Sequence, residues 1–166
     1  MQIKKVDLLL VLLILSATIY LFIATYFRWI QLHVSVGAFF VDHWLVIVGV
    51  LFVAVFTPLH IWLKRRFPKR IQTLIRIHTL GNLSSFMLIS MHFAQQIGRP
   101  AEFYPDLGTG IALYAVMVIM VVTGLLQWFR IAITRLGKYW RFVHTSVAIS
   151  FYLIIVIHIL QGFRVI

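Results

Sequence analysis

Residues 76–92 carry the sequence RIHTLGNLSSFMLISMH, an apolar run with a histidine towards each end. A second run, residues 141–158, repeats this arrangement as RFVHTSVAISFYLIIVIH. Fourteen residues separate the two histidines in each run. Because fourteen residues make almost four helical turns, both imidazoles of a run point to roughly the same side, about 21 Å apart along the axis. The hydrocarbon layer of a membrane is ~30 Å thick, so this spacing predicts one histidine near each face of it.

The composition is that of an integral membrane protein. Hydrophobic residues make up 62% of the 166 residues, and the mean hydropathy is +1.00. Several apolar runs reach the ~18 residues that a spanning helix needs, and the period-two alternation of a membrane β-barrel is absent. The sequence therefore predicts an all-α, polytopic membrane helix bundle. It forms one transmembrane domain over residues 1–166, with five spans at about 7–27, 42–63, 71–97, 109–130 and 139–163.

Local sequence features limit the cofactors and mark the breaks between spans. The chain has no cysteine, which excludes thiolate-held iron–sulfur clusters and covalent haem attachment. Residues 64–70, KRRFPKR, predict a basic turn whose proline blocks helix continuation. The first apolar segment is longer than the core of a signal peptide and lacks a cleavage site, so we expect it to be a retained helix.

Basic residues are distributed unevenly between the two sides of the predicted bundle. With five spans and a cytoplasmic N-terminus, twelve of the fifteen Lys and Arg residues fall inside, so the positive-inside rule places the C-terminus outside. Anionic lipid headgroups account for the basic face, and a docking surface for an acidic redox partner is the alternative. No nucleic-acid binding is expected, because the basic residues cluster at span ends. Three acidic residues are expected outside: Asp42, Glu102 and Asp106.

The histidines of the third and fifth spans are predicted to share two depths. Two chain reversals separate these spans, so they run parallel. His78 is therefore predicted to lie at the same depth as His144, and His92 at the same depth as His158. Each level could supply two imidazoles to one flat ligand, and iron protoporphyrin with two axial histidines fits. Zinc fits less well, because it needs four ligands at each site and usually takes some of them from thiolates or carboxylates. We therefore predict two haem b groups between helices three and five, with hydrogen-bonded interfacial histidines as the structural alternative.

Other polar residues lie near the proposed ligands. His60 lies beside the inner level, where it could bond a haem propionate or a quinone head group. His33 and His43 are expected outside, where they could line an access site over the outer level. Ordinary interfacial or loop-flanking roles also fit these residues. Three arginines within a turn or two of the ligands could pair with haem propionates: Arg76, Arg141 and Arg99.

The Arg76-x-His78-x13-His92 and Arg141-x-x-His144-x13-His158 runs resemble the ferric reductase-like transmembrane domain, within a superfamily of di-haem membrane cytochromes b. That group includes the membrane parts of ferric reductases and NADPH oxidases. The resemblance implies that His78 and His144 ligate an inner haem b, and His92 and His158 an outer one. The family usually continues through a sixth span into a cytoplasmic flavin and NAD(P)H domain. Residues 108–110 lack the third glycine of a dinucleotide fingerprint, so nicotinamide oxidation is not expected of this chain alone.

The expected function is electron transfer across the membrane, since two axial histidines leave no open site on either iron. The donor would be cytoplasmic or a quinol, and the acceptor external or a partner subunit. The chain would then be a transmembrane oxidoreductase without its own flavin domain. Its expected partners are membrane lipid, a quinone, and a cytoplasmic flavoprotein or other redox subunit. Two alternatives stay open: a haem-free, histidine-lined proton or metal carrier, and a non-catalytic cytochrome subunit of a larger redox complex.

Overall fold

The computed structural model describes residues 5–32, 34–37, 39–99, 108–129 and 137–162. The chain divides into two compact units, Met1–Phe103 and Tyr104–Ile166, here unit 1 and unit 2. The regular structure of unit 1 is α1 (Lys5–Tyr26), β1 (Ser35–Val36), β2 (Phe39–Phe40), α2 (Val41–Arg66), a 3₁₀ turn (Pro68–Arg70) and α3 (Ile71–Ile97). That of unit 2 is α4 (Gly108–Trp128) and α5 (Gly137–Gly162).

Four of these helices are long and apolar enough to cross a membrane: α1, α2, α4 and the Tyr139–Gly162 part of α5. Each exposes large apolar side chains along its length, such as Leu9, Val48, Ile119 and Leu153, as expected of surfaces that contact lipid. The protein is a multi-pass membrane protein. The five helices coincide with the five predicted spans to within about three residues at each end.

The third helix differs from the other four in polarity. α3 has 27 residues, enough to span a bilayer, yet it is not apolar enough to count among the membrane-spanning candidates. It packs against both α1 and α2, and it buries Ser85, Phe86 and Ser90. A helix covered by two apolar neighbours can carry polar side chains on its protein-facing side. The expectation that α3 is a fifth span stays a prediction.

Close backbone approach holds α2 and α3 together. A Cβ built on Gly49 of α2 would lie 3.1 Å from the Ser85 carbonyl oxygen and 3.3 Å from Ile89 Cγ1. Small residues are the usual means by which membrane helices approach so closely. At Gly81 of α3 the glycine surface is covered by the Phe52 ring, so this glycine serves helix packing within unit 1.

The connections follow local chain chemistry. α2 ends at Arg66, and Pro68 opens the 3₁₀ turn that leads into α3, which confirms the predicted break. The short antiparallel hairpin of β1 and β2 was not predicted from the sequence; its turn uses Gly37 at φ +64°, a conformation that glycine adopts without steric cost. The Trp44 indole Nε1 donates a hydrogen bond to the Val36 carbonyl at 2.9 Å, which ties the hairpin to the start of α2.

Unit 2 is a hairpin of two long helices. α4 and α5 pack against each other, and Gln127 near the end of α4 donates to the Trp140 carbonyl near the start of α5 at 3.1 Å. Most of the buried residues recur every three or four positions on each helix, as an α-helical seam requires. They are Leu113, Met117, Met120 and Thr123 on α4, and Phe151 and Ile155 on α5, with Trp128 also buried at the end of α4.

Candidate functional site

His78 lies on α3 and stacks against a histidine of α2. The rings of His60 and His78 have centroids 4.6 Å apart and planes inclined by 19°. His60 is buried, with only 7% of its surface exposed. The Asn82 amide, one turn further along α3, lies 3.2 Å from His78 Nδ1. His60 therefore lies against His78, and its place beside an inner haem level stays a prediction.

His92, at the other end of α3, faces an acidic group. Its Nδ1 lies 3.5 Å from Asp42 Oδ2, while the other carboxylate oxygen of Asp42 lies 3.0 Å from His43 Nδ1. The rings of His43 and His92 are 6.0 Å apart, edge to face. Asp42, His43 and His92 thus form one cluster, here the carboxylate cluster. The hairpin lies beside it, with the Phe40 ring 6.0 Å from that of His43.

Asp42 lies in the first turn of α2 with none of its surface exposed. The expectation that it lies on the outer side of the membrane stays a prediction. An ionised carboxylate is buried only where cations or hydrogen-bond donors offset the loss of water. The two groups beside the carboxylate are the imidazoles of His43, the next residue along α2, and of His92 on α3.

His144, on α5 of unit 2, rests on a Thr–Gly pair of α4. Its Nδ1 lies 3.0 Å from the Thr123 hydroxyl. A Cβ built on Gly124 would meet the imidazole at 3.2 Å from Cε1, so the ring lies directly on the glycine. The Thr123 hydroxyl also donates to the carbonyls of Ile119 at 2.8 Å and Met120 at 3.1 Å.

His158, fourteen residues further along α5, has the same kind of neighbours on α4. Its Nδ1 lies 3.1 Å from the Thr109 hydroxyl, and that hydroxyl donates to Gln161 Oε1 at 2.6 Å. A Cβ built on Gly110 would lie 3.6 Å from His158 Cε1. The two Thr–Gly pairs are fourteen residues apart on α4, as the two histidines are on α5. This echo was visible in the sequence, but it was not recognised there because threonine and glycine are ordinary residues of membrane helix seams.

The four predicted ligands share one feature. Each has its Nδ1 within 3.5 Å of a polar side-chain atom: Asn82 for His78, Asp42 for His92, Thr123 for His144 and Thr109 for His158. Histidines that bind metal through Nε2 almost always donate the other ring N–H to such a partner. The Asp42 carboxylate and the two threonine hydroxyls can accept that proton, whereas the Asn82 Nδ2 group can only donate and lies near both ring nitrogens of His78. The predicted pairs, His78 with His144 and His92 with His158, join unit 1 to unit 2, and they stay predictions.

The three arginines have different surroundings. Arg76 Nε lies 2.8 Å from Asp7 Oδ1, in a partly exposed ion pair between α3 and α1. Arg141 is exposed, and its carbonyl accepts a hydrogen bond from the Thr145 hydroxyl at 2.9 Å. Arg99 follows the end of α3, where its backbone N–H donates to the Gln96 carbonyl at 3.3 Å. Their predicted pairing with propionates is untested, and His33 lies outside the described residues.

The donor set suits a porphyrin better than a bare ion. No group of three or more His, Asp or Glu side chains within the described parts of the chain is arranged to hold a metal ion. A bare ion such as zinc needs about four donors, whereas a porphyrin brings four nitrogens and needs only one or two axial imidazoles. The glycines beneath His144 and His158 let each imidazole lie against the backbone of α4. The residues present therefore fit haem.

Comparison with known proteins gives no relative to argue from. Neither a protein-family model, nor a curated protein, nor a solved structure matches this chain. The case for function therefore depends on the geometry of the histidines and their neighbours.

Proposed function

We propose that this chain is a di-haem, b-type membrane cytochrome of the ferric reductase-like kind, which moves electrons across the membrane. His78 and His144 would hold the inner haem b, and His92 and His158 the outer one. Bound there, the iron porphyrins would supply one-electron transfer. The chain would lie with its N-terminus in the cytoplasm and its C-terminus outside, as the positive-inside rule favours.

The observation that carries this proposal is the common orientation of three of the four imidazoles. At His92, His144 and His158 an oxygen atom from a neighbouring helix lies within 3.5 Å of Nδ1. At His78 the Asn82 amide lies near both ring nitrogens, at 3.2 Å from Nδ1 and 3.4 Å from Nε2. The repeated use of the same nitrogen at three positions supports a shared task for Nε2.

The chain's own residues have three further tasks in this function. The exposed apolar faces of α1, α2, α4 and α5 keep the site in lipid. The buried side chains between the two ends of each histidine run exclude water, and Phe86 and Phe151 are among them. The low dielectric that results strengthens every electrostatic influence on the bound group, including that of the carboxylate cluster. We propose a quinol or a cytoplasmic flavoprotein as donor, and an external acceptor or partner subunit as acceptor.

The test is a haem count on the whole protein. The purified chain, expressed with ample haem supply, should give two haem b per chain by the pyridine haemochrome assay and sharp α and β bands on reduction. Thr145→Val is the control, because Thr145 is exposed on α5, its hydroxyl donates to the Arg141 carbonyl, and it lies outside the proposed ligand set; it should keep both haems. A colourless wild-type protein would overturn the proposal.

A haem-free proton or metal carrier is the second candidate. The observation that favours it is the buried Asp42 carboxylate between His43 and His92, since buried ionisable groups in membranes commonly mark ion pathways. Proteoliposomes distinguish the two functions. A carrier would pass protons or divalent metal without a Soret band, whereas a cytochrome would reduce an enclosed acceptor only when haem is bound.

A further inference from the structure

The α4 helix carries a repeat that matches the histidines of α5. Thr109-Gly110 and Thr123-Gly124 are separated by the same fourteen residues as His144 and His158. Since α4 and α5 run antiparallel, Thr123 meets His144 and Thr109 meets His158. Both contacts join the same atoms, the threonine Oγ1 and the imidazole Nδ1, at 3.0 Å and 3.1 Å. One packing arrangement is therefore used twice in unit 2.

The Thr123 hydroxyl has backbone carbonyl oxygens as hydrogen-bond acceptors for its proton. A hydroxyl has one proton to donate and two lone pairs that accept. The Thr123 proton is directed at the backbone carbonyls of Ile119 and Met120, which can only accept. With its proton on either carbonyl, Thr123 Oγ1 can only accept from His144, and Nδ1–H is then the donor in that contact. The neutral imidazole consequently carries its lone pair on Nε2, the form that binds a metal.

The same count of hydroxyl protons and acceptors applies to Thr109. Its hydroxyl donates to Gln161 Oε1 at 2.6 Å, so the contact with His158 has the imidazole Nδ1–H as donor. Gln161 lies on α5, three residues after His158. At Thr123 the acceptor is backbone of α4, whereas at Thr109 it is the amide of Gln161. The second tautomer therefore depends on a side chain that can be replaced.

We propose that Thr123 and Thr109 are positioning residues that hold His144 and His158 as the Nδ1–H tautomer, ready to bind iron through Nε2. Gly124 and Gly110 complete each pair, because they let the ring lie on the helix surface where the hydroxyl can reach it. α4 would then serve both haem levels without supplying a ligand. This inference rests on the proposed function for its purpose, but the tautomer itself is a property of the chain without haem.

The first test reads the tautomer directly. The full chain, grown without haem supply and labelled with [¹⁵N]-histidine, is examined by NMR under alkaline conditions in which imidazole is neutral. Signals are assigned by comparison with His144→Gln and His158→Gln. We expect one Nδ1–H form for His144, a mixture in Thr123→Val, and the wild-type pattern in Thr123→Ser. An Nε2–H form in the wild type, or no change in Thr123→Val, would overturn the inference.

The second test measures haem retention by the loaded full chain. Removal of such an outer partner typically lowers metal affinity by about 10- to 100-fold, so Thr123→Val should release haem correspondingly more readily to a competing apoprotein. Thr145→Val is the matched control: Thr145 is exposed on α5 beside His144, and its hydroxyl donates to the Arg141 carbonyl. Thr145→Val and Thr123→Ser should both behave as wild type. Equal losses in Thr123→Val and Thr123→Ser would refute a role for the hydroxyl.

Gln161 supplies an independent variant should Thr123→Val fail to fold. Gln161→Glu keeps an acceptor for Thr109 and should preserve the His158 tautomer, whereas Gln161→Leu should mix it. Two outcomes separate this inference from the proposed function. A chain that never binds haem but shows the Nδ1–H tautomers would overturn the proposed cytochrome function and leave the positioning role of the threonines intact. A chain that binds two haems and retains them equally well in Thr123→Val would support the cytochrome function and overturn the positioning role.

Discussion

The histidine runs of α3 and α5 have the same spacing, yet they have different neighbours. In unit 1 each α3 histidine meets a histidine of α2, and one of them also meets a buried carboxylate. In unit 2 each α5 histidine meets a neutral hydroxyl and a glycine of α4. The comparison teaches that spacing sets the depth of a group in the membrane, whereas the neighbouring helix sets its electrostatics.

That difference gives the two proposed levels unequal surroundings. Among the described residues, His92 is the only proposed ligand in contact with a carboxylate. His78 has an amide and an imidazole beside it instead. A nearby negative charge stabilises the oxidised form of a bound iron, so the outer level should have the lower potential.

The largest expected effect concerns which histidines act together. If the levels are paired as proposed, His92→Ala, His158→Ala and the His92→Ala/His158→Ala double variant should each keep one haem per chain. The His78→Ala/His92→Ala double variant should lose both, because it removes a ligand from each level. Haem counts with denaturing-gel quantification measure this. Two haems in His92→Ala, or none in the His92→Ala/His158→Ala variant, would break the pairing.

The next effect tests the carboxylate cluster. Asp42→Asn keeps the side-chain shape but removes the charge beside His92, so the potential of one haem should rise by on the order of 50 mV, given 59 mV per tenfold change for one electron. Redox titration monitored in the α band measures it. Asp7→Asn is the control, because it removes the charge of a carboxylate that pairs with Arg76 and does not belong to the carboxylate cluster. Equal shifts in both variants would show that the effect is not local to the cluster.

A packing variant tests how closely unit 1 is built. Gly49→Ala would place a methyl group 3.1 Å from the Ser85 carbonyl oxygen, backbone that cannot move aside without separating α2 from α3. Overpacking of this kind costs about 1–3 kcal/mol. Gly162→Ala in unit 2 is the control, since no atom of the described residues lies within 4 Å of the added Cβ. Thermal unfolding in detergent should show a lower midpoint for Gly49→Ala alone; equal midpoints would contradict the tight contact.

The smallest effect concerns the Arg76–Asp7 ion pair. Its partners are 43% and 13% exposed, so the pair should contribute less than about 1 kcal/mol to stability. Arg76→Gln and Asp7→Asn should therefore unfold close to wild type in the same assay. If Arg76 also serves a propionate, Arg76→Gln should shift one haem potential while Asp7→Asn does not. Matching potentials in both variants would remove Arg76 from the site.

Much of the fold could be predicted because membrane helices obey local rules. The helix bounds follow from apolar length, and the break at Pro68 follows from the missing backbone donor. The hairpin at Gly37 was missed because two-residue strands have no periodicity to detect. The sequence did not show how a helix as polar as α3 could lie among apolar spans. In the structure α1 and α2 cover α3, and such contacts between helices cannot be predicted from the sequence of α3 alone.

The candidate site divides in the same way. Equal spacing identified four histidines as a set, and α-helical geometry was enough for that. The partners of Nδ1 could not be found so easily, since three of the four come from another helix. The burial of Asp42 could not be predicted either, because one of its two imidazole neighbours, His92, lies on another helix.

By itself, the sequence determined that this chain is a helical membrane protein with two equally spaced pairs of histidines, since length, hydropathy and helical pitch are local properties. Only the tertiary structure decided what each imidazole touches: a carboxylate and further histidines in unit 1, threonines and glycines in unit 2. The physical reason is that contacts between helices depend on how each helix is rotated against its neighbour. That rotation is set by packing over the whole seam.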